Sequence, residues 1–258
     1  MANSNFETWA KGFSGCHGGY IEKSIWICGI EWGGQYNNEQ ELLHEFKRDV
    51  TKPPEGYCSE EGNLASPYDR NILKIITAIY GEEVSKYGEV NDKQQPFVKN
   101  SSGQYKFFKM NLFPIAFRNT NINQWNNCFK TTTGFKDKEE YINWCCKHRF
   151  PIIKSWVNIY KPKLIICFGK DNLDCFKEAF TGVVKKSNCC PNLNSNHLIN
   201  AGEKVVSEDN FPVLGKKLHV CKTNNNVVIV VCPFPGGRHG LNSNELLNNF
   251  GKEIKKYI

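Results

Sequence analysis

No Cys-x-x-Cys pair occurs among the twelve cysteines of this 258-residue chain. The spacing from which tetrahedral metal sites are commonly built is therefore missing. Cys28, Cys167, Cys175, Cys221 and Cys232 instead fall inside apolar or amphipathic runs, where a reduced cysteine acts as a small hydrophobe. The opening stretch MANSNFETWAKG has no apolar signal core, and the longest apolar run, VVIVVC at 227–232, is far too short to cross a bilayer. Repeats of domain scale are absent as well. These absences lead to the expectation of one reduced, cytoplasmic domain with no membrane partner. A chain of this length buries enough apolar surface to need no disulfide staples. The net charge of +7 permits a polyanionic partner without requiring one.

Four short apolar runs read as strands: 24–30 (SIWICGI), 106–112 (KFFKMNL), 163–169 (KLIICFG) and 226–232 (NVVIVVC). Near-continuous apolar strands suit a sheet covered on both faces. Residues 217–223 pair with the last strand through the Asn-rich turn as a hairpin. Helical patterns at 39–46, 66–81, 138–148, 151–160, 171–180 and 242–258 alternate with the strands. The second carries Ser66 as N-cap, Pro67 at the first helical position and Gly81 as a stop. The expected fold is a single α/β domain, a three-layer α/β/α sandwich around a mainly parallel four-stranded sheet. The polar stretch 181–216 is expected to be an insertion loop.

Ligands of parallel α/β sheets bind outside the carboxyl ends of the strands. Three ends carry unusual chemistry here: GIEWGG after the first strand, NLFPIAFR after the second and CPFPGGRHGLNSN after the last. Together with KPKLIICFG, this ordered set resembles the uracil-DNA glycosylase superfamily. That family has an early strand ending in a loop of the G-Q-D-P-Y type, a second strand ending in a base-reading Asn, and a late H-P-S-P loop leading into a helix. The resemblance implies a monofunctional DNA glycosylase fold and activity, with duplex DNA bearing a flipped base as partner, and a monomer. Glu31 takes the place of the water-activating Asp, and Asn111 that of the base reader.

The chemistry suits those residue types. Breaking an N-glycosidic bond builds positive charge on the sugar and negative charge on the base. A buried carboxylate can orient water and stabilise that cation. Asn111 offers both a donor and an acceptor to a base edge. Gly33 and Gly34 are expected to let the backbone approach a flipped nucleotide. Trp32 either walls the pocket or caps the core, Phe113 is either core or a stacking face, and Tyr57 offers a second ring. In the last loop Pro233 and Pro235 stiffen the backbone, Phe234 lies between them, and the amides of Gly236 and Gly237 with Arg238 suit phosphate. Leu241 stands either as a wedge into the base stack or as a helix-start core residue.

Three departures from the family pattern matter. Cys232 and Phe234 replace the His and Ser of H-P-S-P, so His239 is the candidate to supply the missing group, unless it contacts phosphate or solvent. Gly33 replaces the Tyr that guards pyrimidine C5, which points to a C5-modified base; some bacterial members of the superfamily act in phage defence, removing glucosylated hydroxymethylcytosine from phage DNA. Some branches carry an iron–sulfur cluster, and Cys145 or Cys146 resembles one ligand. The N-terminal Cys-x-x-Cys is absent, so no cluster and no other cofactor is expected. Zinc on Cys189, Cys190 and His197 lacks clean spacing. The alternative reading is an inactive superfamily member that binds nucleic acid or a nucleotide, and a third is an α/β protein acting on a small nucleotide-like ligand.

Overall fold

The computed structural model describes residues 2–57, 66–118, 123–183, 205–223 and 225–258, and side chains at all of these except 205–208. Its strands are β1 (Cys16–Gly19), β2 (Ile25–Gly29), β3 (Phe107–Asn111), β4 (Leu164–Phe168), β5 (Val205–Val213), β6 (Lys216–Thr223) and β7 (Val228–Cys232). The helices are α1 (Ser4–Lys11), α2 (Glu39–Phe46), α3 (Pro67–Tyr80), α4 (Tyr87–Gln94), α5 (Asn127–Thr133), α6 (Lys138–Trp144), α7 (Phe150–Tyr160), α8 (Leu173–Thr181) and α9 (Asn244–Lys255).

The described strands form one mixed sheet of seven, in the order β1-β3-β2-β4-β7-β6-β5. The four apolar runs of the sequence lie side by side as its parallel centre, β3-β2-β4-β7. The expectation of four strands is corrected by three antiparallel additions, β1 on one edge and the β6–β5 hairpin on the other. β5 lies inside the stretch expected to be loop. Its sequence, VVSEDNFPV, has apolar ends around a polar middle, and it pairs with β6 along its length.

Alternation along each central strand feeds two cores. Trp26, Cys28, Phe108, Met110, Ile165 and Cys167 pack on one face with α1, α6, α7 and α8. Ile25, Ile27, Phe107, Leu164 and Ile166 pack on the other with α3 and α9. Both faces are covered, which is why these strands read as unbroken apolar runs. On α3 the expected signals operate as anticipated: Ser66 accepts from the Asp69 amide, Pro67 opens the helix, and Gly81 closes it with φ near +88°. α6 and α7 are not separate helices but one path, joined by a π-helical turn at Cys145–Arg149.

That turn places Arg149 wholly out of solvent. Its guanidinium donates to the carbonyls of Leu112 (2.7 Å), Gly12 (3.2 Å), Ala10 and Ser14, and to the Ser14 hydroxyl (3.1 Å). Five planar donors meeting fixed acceptors is the arrangement that makes a buried arginine tolerable. Cys146 and Cys175 are disulfide-bonded, which corrects the expectation of a fully reduced chain. Among the described residues no helix is long and apolar enough to cross a membrane.

Candidate active site at the sheet rim

β2 and β3 end together at Gly29 and Asn111, which are paired in register. The loops beyond run alongside each other: the Leu112 amide donates to Gly29 O (3.0 Å), Phe113 to Ile30 O (2.8 Å) and Phe117 to Trp32 O (3.0 Å). This double track fixes Glu31, Trp32 and Asn111 relative to one another.

Asn111 is 5% exposed, and its carboxamide makes no hydrogen bond to any described residue. It lies over the backbone of Gly29, where a Cβ would collide with the Asn111 carboxamide and come within 3.0 Å of the Tyr68 hydroxyl. Gly29 is therefore the glycine that admits the Asn111 carboxamide here. The surroundings of Gly33 and Gly34 are more open. A Cβ on Gly33 meets nothing within 4 Å, a Cβ on Gly34 meets only the Ala116 methyl at 3.2 Å, and neither adopts a left-handed φ. The Tyr68 hydroxyl is buried without a partner. Burial first, then the neighbouring Cys28 and Asp69, holds its phenol well above the ordinary range. A buried polar group with nothing to bond costs free energy. The Tyr68 hydroxyl is such a group, and the Asn111 carboxamide stands beside it.

Glu31 turns towards α6. Its carboxylate pairs with the Lys138 ammonium at 3.1 Å, and the two side chains are 5% and 2% exposed. Lys138 sits 3.8 Å over the Phe117 ring. Burial pushes the Glu31 carboxyl up to about 7 although Lys138 opposes the shift. The same burial lowers Lys138, against Glu31. Sequence reading missed Lys138, since nothing local marks a partner 107 residues away.

A second buried pair lies on the α3 side: Lys109 with Asp69. Lys109 also donates to the Tyr57 hydroxyl (3.2 Å) and lies within 6 Å of the ring centres of Tyr57, Tyr68 and Phe97. Tyr57 stacks on Phe97 at 5.3 Å, so it is held as a rigid wall. Trp32 donates its indole N–H to Gly15 O (3.1 Å) and packs edge-on against His17. On its other side lies a pocket of about 50 Å³, lined by Tyr36, Arg48, Lys52 and Pro114.

The loop after β7 reaches the same region from the other end of the parallel centre. Phe234 is 51% exposed and its ring lies 5.4 Å from that of Tyr68. Asn71 of α3 donates to Pro235 O at 2.9 Å. Gly236 and Gly237 have φ of +153° and +69°, and a Cβ on Gly240 would stand on the carbonyls of Gly236 and Phe234. The turn is closed by Leu241 N–H to Phe234 O (2.8 Å). Pro233 and Pro235 are buried, while Gly237, Arg238 and His239 are exposed and their amides donate to no described residue. His239 points outward, with its carbonyl held by Lys216 (3.0 Å).

Burial decides between readings the sequence left open for Leu241 and Phe113. Leu241 is fully buried against α3 and α9, so it is core and cannot act as a wedge. Phe113 is 3% exposed among Tyr141 and Phe150, so it offers no stacking face. Cys232 is fully buried, and burial raises its thiol far above the ordinary range. Among the described residues no cluster of three metal-ligating side chains occurs, and Cys189, Cys190 and His197 lie outside them. Neither a protein-family model nor a curated protein matches the sequence, so the site is read from its geometry.

Proposed function

We propose that this protein is a DNA glycosylase that hydrolyses the N-glycosidic bond of an extruded pyrimidine, with C5-modified bases as the favoured substrates. The observation that carries the reading is the unspent Asn111 carboxamide, nine-tenths buried beside the unpartnered Tyr68 hydroxyl. A largely buried amide and a buried hydroxyl, neither bonded to a described residue, suit the donor–acceptor edge of a base. Tyr57 and Tyr68 supply apolar walls. Phe234, standing in solvent beside Tyr68, is placed to fill the stack a base vacates, the part expected of Leu241. The exposed amides of 237–239 and Arg238 suit phosphate.

In this reading the C1′–N bond breaks and its electron pair leaves with the base. Water bonds to C1′ and gives its proton to Glu31, whose carboxyl, held up near 7, suits a general base at neutral pH. The base then takes a proton from solvent. The absence of bulk at Gly33 leaves room for a 5-substituent, glucosylated hydroxymethylcytosine of phage DNA included.

The test uses duplexes carrying uracil, 5-hydroxymethylcytosine or its glucoside, with alkali to cleave abasic sites. Release by wild type, and loss of about 100-fold or more in Asn111→Ala and Glu31→Gln, is expected. One observation favours a second reading, a binding protein without chemistry: Glu31 is already paired with Lys138. Tight binding of every duplex with release of none would establish it.

A further inference from the structure

The β5–β6 hairpin turns in two residues, Leu214 and Gly215, between the paired Val213 and Lys216. Both have positive φ, +46° and +74°. Two such residues in succession make a type I′ turn, which matches the strand twist and favours Asn-Gly or Asp-Gly, because asparagine and aspartate tolerate the left-handed region. Leucine is strained there. Burial does not offset the strain, since Leu214 is 54% exposed and a Cβ on Gly215 would meet nothing within 4 Å. The fold thus holds a large apolar side chain in water, at the tip of a hairpin, in a backbone conformation that disfavours it.

The tip lies on the rim that carries the candidate site. β6 runs antiparallel to β7 with His219 opposite Val231, which sets Leu218 level with Cys232 at the end of β7. The turn is three to four residues further on, so it projects about 10 Å past the strand end. There Lys216 donates to the His239 carbonyl at 3.0 Å, which joins the hairpin to the loop of Phe234. Leu214 and Phe234, two of the most exposed large apolar side chains among the described residues, therefore stand on neighbouring projections. The turn lies one to two strand spacings from β7, about 5–10 Å, a span comparable with the ~6 Å width of the DNA minor groove.

Charge follows the same rim. Residues 210–244 contain no Asp or Glu, yet hold Lys216, Lys217, Lys222 and Arg238. Lys217, beside the tip, is exposed, and so is Arg238, next to the residue that Lys216 holds. Asp209 of β5 is opposite Val220, well down the hairpin. An apolar point flanked by cations and free of carboxylates fits a duplex, where phosphates border a groove floored by stacked bases. A second copy of this chain, itself of charge +7, would repel it.

We propose that the β5–β6 turn is a second DNA-contacting finger: Leu214 packs into the minor groove against the strand opposite the extruded nucleotide, and Lys217 meets that strand's phosphates. This rests on the glycosylase reading for the extruded nucleotide and adds the means by which duplex is told from single strand. Phe234 takes the place of the extruded base, and Leu214 grips the strand left behind.

Leu214→Asn separates contact from fold, because it supplies a residue that a type I′ turn prefers and removes the apolar side chain. Binding is read by fluorescence anisotropy on a duplex carrying a non-hydrolysable 2′-fluoro pyrimidine nucleotide, and on the same strand alone. The expected result is an unfolding midpoint equal to or above that of wild type, a fall in duplex affinity of about 10-fold or more, and little change on the single strand. Lys217→Gln should lower the slope of log affinity against log salt by about 1. Unchanged duplex affinity in Leu214→Asn, or equal losses on duplex and single strand, would overturn the proposal and leave the glycosylase reading to its own base-release assay. A smaller oligomer of Leu214→Asn in sedimentation would overturn it as well, by making the tip a contact between copies. Loss of duplex affinity in Leu214→Asn with no base released from any duplex would keep the finger and sink the glycosylase reading. If wild type binds no duplex, both fall.

Discussion

Replacing Lys138 by methionine removes the partner of Glu31 and little else, since the aliphatic stem over Phe117 is kept. A carboxylate that is 5% exposed would then have to be neutral or remain charged without compensation. Breaking one side of a buried ion pair costs about 3–5 kcal/mol, against a total stability of about 5–15 kcal/mol for a typical domain. For a chain of this size that is a fall in Tm of about 10 °C. The cost should depend on pH. The Glu31 carboxyl stands near 7 in the fold against an ordinary value of 4.5. Between these values the native state holds the proton and the unfolded state does not, so stability falls as pH rises through this window. Without Lys138 the folded value climbs further and the fall continues above 7. Urea unfolding of Lys138→Met should therefore show a modest deficit at pH 4 that widens towards pH 8. Glu31→Gln with Lys138→Met, which has no charge to strand, should recover most of it and lose the pH dependence. A deficit below about 1 kcal/mol at pH 8, the scale of an exposed pair, would refute the claim that this pair is a desolvated one.

Gly29→Ala puts a methyl onto the Asn111 carboxamide and against the Tyr68 hydroxyl; base release should fall more than 10-fold while DNA affinity changes little, as read by single-turnover kinetics beside fluorescence anisotropy. Phe234→Ala should leave the unfolding midpoint in place, because the ring is half in solvent, and should weaken binding of duplex more than of single strands, where no stack needs filling. The pH–rate profile of kcat/KM should rise with pH and level off above about 7, as the Glu31 carboxyl ionises; a rate flat from pH 5 to 8 would remove Glu31 from the role of base.

The parallel centre of the sheet was legible because each of its strands is apolar on both faces, and α3 because Ser66, Pro67 and Gly81 mark its ends. Asn111 was legible as a polar residue closing an apolar strand. The edge strands were not. Cys-His-Gly-Gly carries no apolar alternation, and β1 exists because β3 offers it a partner. The two buried pairs were also invisible, since Glu31 meets Lys138 and Asp69 meets Lys109 only through the fold. That Leu241 is buried and Phe234 exposed was hidden for a similar reason. Both are apolar residues of one loop, and the hydrogen bond from Leu241 N–H to Phe234 O decides which side chain turns inward.

Arg149 ties the carbonyls of residues 10, 12 and 14 to that of Leu112, the residue after Asn111. The first helix is thus not an appendage. Trimming the chain back to Phe13 would strip a guanidinium of two acceptors at the centre of the molecule, and the disturbance would surface at the strand end a hundred positions downstream.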